Sequence, residues 1–170
     1  PRRLRRTERI RSLVRESRLS PDTFILPLFI CPGTGVRTPI RSMPGVCQLS
    51  VDEAVAEATA AVADGVPGVL LFGLPRDKDD VGSAASDPHA PVQEAVRALK
   101  RALPDLIVIT DVCLCEYTSH GHCGILDGDE IVNDVTVAHV AKAALSHAEA
   151  GADFVAPSDM MDGQIGRAHV

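Results

Sequence analysis

Residues 106–124 read LIVITDVCLCEYTSHGHCG. The first seven, Leu106 to Val112, are a nearly unbroken apolar run rich in β-branched side chains, the pattern of a strand buried on both faces. The next twelve carry three of the chain's five cysteines, Cys113, Cys115 and Cys123, together with His120 and His122. Parallel α/β folds build their sites at the C-terminal ends of their strands. A buried strand that runs straight into ligand-type side chains therefore suggests such a fold.

Working outward, three similar runs appear: ILPLFI at 25–30, GVLLFGLP at 68–75 and DFVAP at 153–157. Helical stretches separate them. Ser50 with Glu53 has the spacing of a capping box, and the Ala-rich run it opens extends to about Ala63 and stops at Gly65. Pro91 to Ala102 puts Val92, Ala95, Val96 and Leu99 on one face. Asn133 or Asp134 can cap a helix reaching Ala150, closed by Gly151. The stretches 32–45, 76–88 and 116–130 read as loops. Pro27 counts against a central, fully bonded first strand.

The pattern is α/β, with four strand–helix units of which the fourth helix is missing. It predicts a parallel sheet covered on both faces, either a small open sheet or the first half of a closed barrel. No strand is followed by Gly-x-Gly-x-x-Gly, and no Gly-Lys-Ser/Thr loop occurs. The 170 residues are short for a complete (β/α)8 barrel, which takes about 250.

Composition narrows the function. The chain is 45% hydrophobic and 24% charged, that of a soluble globular protein. Aromatics are 3%, with no Trp and one Tyr, too few for a base-stacking platform. The net charge of −6 argues against a dedicated nucleic-acid binder. Residues 1–18 hold eight arginines against two glutamates, a net +6, so the remainder carries −12. Residues 1–22 are thus a basic arm before an acidic body. Such an arm can contact nucleic acid or lipid; docking on an acidic body, its own or a neighbour's, is favoured by the complementary sign. No run of 18 apolar residues can span a membrane, and no apolar segment follows the basic start as in a secretory signal. The expected partners include neither nucleic acid nor membrane, and the expected location is the cytoplasm.

Without an export signal, the cysteine cluster reads as metal binding or catalysis before disulfides. Strand alternation would project Asp111, Cys113 and Cys115 to one side, and a loop containing Gly121 and Gly124 can return Cys123 beside them. Three thiolates suit a borderline-soft ion such as Zn²⁺ and leave a fourth position for water or substrate. The plainer alternative is a set of free cysteines, which is the reading for Cys31 and Cys47. Thiolates and Zn²⁺ sum to −1, so the ion would polarise a bound group more readily than generate hydroxide. His120, His122 and Asp111 are candidates for orientation or proton transfer, and a fourth ligand from either histidine would make the site structural. Ser158, Asp159 and Asp162 follow the fourth strand at the same end of the sheet; a helix N-cap explains them equally well.

The stretch 111–124, followed by VAPSDMMDG at 155–163, closely resembles the porphobilinogen synthase (delta-aminolevulinic acid dehydratase) family. The likeness extends to PRRLR at 1–5, IRSMPG at 40–45 and LFG at 71–73. It implies a (β/α)8 barrel with an N-terminal arm that wraps a neighbouring subunit, usually in a homo-octamer. It implies condensation of two 5-aminolevulinate molecules to porphobilinogen with loss of two waters, an early step toward haem. On the matching positions Cys113, Cys115 and Cys123 are zinc ligands, although some members carry carboxylates there. Asp111 and Ser158 line the substrate pocket, with Asp159 beside them. An allosteric Mg²⁺ site, outside this chain, is a further expectation.

The resemblance also implies two Schiff-base lysines beyond residue 170. None of Lys78, Lys100 and Lys142 matches them, and the arginines that bind substrate carboxylate are absent. The expectation is therefore the first half of a barrel over 23–163, inactive alone, with bare sheet edges and an exposed interior that favour aggregation. Residues 164–170 are expected to be a non-native tail, since Ile165 to Val170 match the translation of a common sequencing adapter, and Pro1 in place of Met points to a start further upstream. The rivals are a non-catalytic zinc-binding interaction module and a barrel lyase relying on Schiff-base chemistry alone.

Overall fold

The computed structural model describes residues 2–168; Pro1 of the arm and His169 and Val170 of the tail lie outside the described residues. The elements are α1 (Glu8–Leu13), β1 (Ile25–Ile30), β2 (Arg37–Pro39), β3 (Cys47–Leu49), α2 (Val51–Ala63), β4 (Gly68–Gly73), α3 (Pro91–Ala102), β5 (Ile107–Val112), β6 (Leu126–Asp127), β7 (Glu130–Ile131), α4 (Asn133–Ala150), β8 (Phe154–Pro157) and α5 (Gln164–Ala168).

One sheet has the order β2-β3-β1-β4-β5-β8. The pairs β1–β4, β4–β5 and β5–β8 are all parallel, with Leu28 beside Leu71, Val69 beside Val108 and Asp111 beside Ala156. The four long strands thus follow chain order with no reversal. A doubly wound open sheet reverses direction at a switch point; a barrel does not.

Strand alternation explains where the core sits. Leu28 and Ile30, Val69 and Leu71, and Val108 project to one face, where they pack with Ala54 and Ala58 of α2 and Val92, Ala95, Val96 and Leu99 of α3. Val112 continues that face beneath Val140, Ala143 and Ala144 of α4. The opposite face carries Ile25, Phe29, Phe72, Ile107, Ile109 and Phe154, and there Ile25 is 52% and Phe154 60% exposed. The expectation of a sheet covered on both faces is therefore corrected. The covering helices lie on one side, as right-handed crossovers between sequential barrel strands require.

The two edges differ. β8 ends the sheet with a free edge. At the other end a hairpin absent from the sequence reading, β2 with β3, adds a short parallel ladder to β1 at Phe29 and Ile30. This edge is therefore covered at the C-terminal end of β1, contrary to expectation, and bare over the rest of the strand. Pro27 lies where β1 has β4 on one side and no strand on the other, so its missing N–H breaks no two-sided ladder.

The capping box at Ser50 does not form. Ser50 Oγ accepts from Val36 N–H at 2.9 Å and donates to Asp52 at 2.5 Å, while Glu53 pairs with Arg37 at 3.0 Å. Both side chains that would cap α2 are spent fastening the β2 segment to it. Asn133 does not cap α4 either. Its amide exchanges two hydrogen bonds with the backbone of Asp162, stapling the loop after β8 to the helix. At the base of the sheet, Lys100 Nζ reaches both Asp153 oxygens and the Leu106 carbonyl, and Asp153 accepts from Val108 N–H.

The arm forms a 3₁₀ turn (Arg2–Arg5) and α1, capped by Thr7. No residue from 2 to 22 is buried, and Leu13 and Leu19 are over four-fifths exposed. The tail's described residues, 164–168, form α5, which packs against α4 and β8. No described helix is long and apolar enough to cross a membrane.

Candidate metal centre

β5 stops at Val112, so strand alternation carries only Asp111 onto the open face. The cysteines that follow are placed by a turn. The N–H groups of Tyr117 and Thr118 both donate to the Leu114 carbonyl, and Leu114 and Tyr117 anchor this turn in the cluster beneath α4. The turn brings Cys113 Sγ within 3.2 Å of Cys115 Sγ. The chain then doubles back through Gly121, whose φ of +77° suits glycine, and returns Cys123. The three sulfurs lie within 4.8 Å of one another. Neither His120 nor His122 belongs to this group among the described residues.

Burial pushes the Cys113 thiol up, with the Cys115 and Cys123 sulfurs adding to the shift; burial pushes Cys115 up to about 11, opposed by its hydrogen bond with Cys113 and reinforced by Glu116 and Cys123. Without an ion Cys113 and Cys115 would keep their protons on sulfur at neutral pH. Three converging soft donors with no disulfide among them suit a thiophilic divalent ion, which would displace those protons.

The expected pocket residues lie beside the thiols. Asp111, 8% exposed, is raised by burial, opposed by the Ser158 hydroxyl and the Glu116 carboxyl next to it. Ser158 reaches this position because β8 pairs with β5 through Pro157, and its N–H donates to the Val112 carbonyl. Asp159 is buried and also raised; one oxygen accepts from Met161 N–H and the other has no partner among the described residues. Asp162 stands apart, its backbone held by Asn133.

Glu116 escaped the sequence reading. It is raised by burial and by Asp111, and Lys78 partly offsets this. Its place directly after Cys115 was the available signal. A cavity of about 540 Å³ opens between the loops after β1 and β4, lined by Cys31, Lys78 and His89 among others. It does not include the three-cysteine group.

The winding and the thiol cluster define half of a parallel βα barrel with a three-thiol group that could hold a metal ion at its C-terminal mouth. A family model described as delta-aminolevulinic acid dehydratase matches residues 1–169, and the chain belongs to that family. The chain is 54% identical over 166 residues to the delta-aminolevulinic acid dehydratase of Methanothermobacter thermautotrophicus, covering 96% of this chain and 51% of the relative. It is 51% identical over 165 residues to that of Ruminiclostridium josui, covering 97% and 80%. The Toxoplasma gondii enzyme, solved with its product porphobilinogen, superposes with a TM-score of 0.95 at 38% identity, over 99% of this chain and 49% of that one. The chain thus spans about half the length of most of the relatives it matches. The structure is accordingly a partial (β/α)8 barrel, as the sequence reading expected.

Proposed function

We propose that the intact protein condenses two molecules of 5-aminolevulinate to porphobilinogen with loss of water, serving tetrapyrrole synthesis in the cytoplasm, with Zn²⁺ held by Cys113, Cys115 and Cys123. The observation that carries this reading is the convergence of three sulfurs within 4.8 Å, beside a buried carboxyl and a hydroxyl at one strand end. When bound, the ion would polarise a substrate oxygen or nitrogen in the fourth position.

The chain's own residues would do the rest. Asp111, whose carboxyl is raised by burial, can hold or accept a proton at the site, and Ser158 orients it. Asp159 has a buried carboxylate oxygen free to receive a substrate donor. These roles agree with the positions the family resemblance assigns.

Covalent activation of a carbonyl by a lysine has no candidate among the three lysines of this chain. Lys100 is held at the base by Asp153, Lys142 is exposed on α4, and Lys78 lies in the loop after β4. The 170-residue chain alone should not turn over. The exposed apolar residues of the arm, Leu13 and Leu19, fit an arm that is covered by a second copy in a homo-oligomer, the octamer of the family resemblance.

The test is porphobilinogen formation by the intact gene product. Activity should vanish with a chelator, return with Zn²⁺, and be absent from Cys113→Ser, Cys115→Ser and Cys123→Ser. Zinc bound without any turnover would favour the interaction-module reading. Turnover that survives all three substitutions would remove the thiols from the reaction.

A further inference from the structure

We infer that the loop after β4 templates the third thiol: Asp80, acting through Ser119 and His120, is a positioning residue for Cys123. This rests on the metal-binding reading of the thiol group.

The first two sulfurs are placed by the end of β5 and the buried Leu114 turn. Cys123 has no such support. It lies eight residues on from Cys115, beyond exposed Ser119, Gly121 and His122, in a stretch without regular structure. What orders that stretch comes from a different βα loop. Asp79 and Thr118 form a single parallel rung, in which Ser119 N–H donates to the Asp79 carbonyl at 2.9 Å and Asp79 N–H to the Tyr117 carbonyl at 3.4 Å.

Asp80 then makes two contacts. Its carboxylate accepts from Ser119 Oγ at 2.5 Å, and its carbonyl lies 3.2 Å from His120 Nε2. His120 Nδ1 accepts from His122 N–H at 3.1 Å. One tautomer satisfies both ends, with the proton on Nε2 and the lone pair on Nδ1. The imidazole is thereby a strut between two backbones, which explains why it does not join the sulfurs. Thr118 Oγ donates to the His122 carbonyl at 2.8 Å and closes the turn from the other side. His122 is the residue next to Cys123, so the chain of bonds from Asp80 ends one peptide from the ligand. Asp79 stiffens the template by accepting from Val81 N–H, Ser83 N–H and the Ser83 hydroxyl.

Outer partners that orient metal ligands typically govern affinity by about 10- to 100-fold. The experiment is a Co²⁺ titration of the intact gene product, followed by the sulfur-to-cobalt charge-transfer band, with thermal melting in parallel. Asp80→Ala should weaken binding about tenfold and lower the band at saturation toward that of two thiolates. Asp80→Asn keeps an acceptor and should stay within about threefold of the parent. Ser119→Ala should match Asp80→Ala, and the double variant should be no weaker, because both remove one bond. Asp77→Ala, in the same loop, is the control and should change nothing. Affinity and band unchanged in both Asp80→Ala and Ser119→Ala would overturn the inference while leaving the thiol site intact. No charge-transfer band in the parent protein would instead remove the metal reading beneath it. A loss of melting temperature shared by every variant, with cobalt binding unmoved, would reduce Asp80 to a structural residue.

Discussion

The hydroxyl of Tyr117 occupies the space a side chain would need at Gly73: a Cβ built there would lie 1.9 Å from Oη and 2.8 Å from both Cζ of the ring and Cγ2 of Val92. Gly73 ends β4 and Tyr117 belongs to the cysteine turn, so this approach sets how closely the turn can sit against the sheet. Gly73→Ala must push the ring away or open β4 from β5. Overpacking of this kind costs about 1–3 kcal/mol, and Tyr117 is 3% exposed with little room to yield. We expect a loss of about 3 kcal/mol in denaturant unfolding, partly recovered in Gly73→Ala/Tyr117→Leu. Equal midpoints for Gly73→Ala and the parent would show that the turn is not seated on β4.

Gly124 presents a second close approach, directly after the third cysteine. A Cβ there would meet Ile131 Cγ2 at 2.5 Å, Thr136 Oγ1 at 2.9 Å and Met161 Cε at 3.2 Å. The methionine end can swing aside; Thr136 cannot, because its hydroxyl accepts from Ile125 N–H at 2.9 Å and donates to the Val132 carbonyl at 2.7 Å. Gly124→Ala should cost about 1–3 kcal/mol and expose the Ile125 amide to faster hydrogen exchange. Unchanged exchange at Ile125 would mean that the loop absorbs the methyl group elsewhere.

The elements read correctly from the sequence are those whose pattern depends on their own burial. β1, α2, α3 and α4 begin or end within a residue of expectation because each buries one periodic face, and Gly151 closes α4 with φ +105° as a helix-ending glycine should. What escaped depends on distant partners. β2 and β3 are three residues each, too short for any period to show, and β2 ends in Pro39. Ser50 and Glu53 have the right spacing for a cap, yet Val36 and Arg37 claim them. The thiols were legible as a group from their spacing, but not their geometry. A turn, not strand alternation, brings Cys113 to Cys115, and the bonds from Asp79 and Asp80 come from a loop some forty residues earlier, in a stretch that reads only as charged.

His147 offers a pH test remote from the thiols. It is 1% exposed on α4, neither ring nitrogen has a well-formed partner among the described residues, and burial pushes its pKa down to about 4, opposed only by the Ala85 backbone. An unfolded histidine titrates near 6.5. Above that value neither state is protonated and the group adds no pH dependence. Between about 6.5 and about 4 the unfolded chain takes a proton that the folded chain refuses, so stability falls as pH falls. The slope approaches about 1.4 kcal/mol per unit, roughly 3 kcal/mol across the window. His147→Gln should flatten this part of the stability profile. Parallel profiles for the two proteins would show that His147 is solvated or paired when folded.

The thiols themselves set the last expectation, which concerns protons, not turnover. Burial holds Cys113 and Cys115 above the ordinary thiol range, so an ion entering the cluster must displace protons from sulfur. Apparent affinity should therefore rise with pH throughout the neutral range, with a slope approaching about three protons per ion if all three sulfurs bind as thiolates. Titration calorimetry of Zn²⁺ into the intact gene product, in buffers of different ionisation enthalpy, counts those protons directly. Cys123→Ser should lower the count by about one, because a serine hydroxyl keeps its proton. A count near zero in the parent would mean that the ion sits elsewhere, on carboxylates such as Asp111, Glu116 and Asp159; a count that Cys123→Ser leaves unchanged would place only two sulfurs in the site.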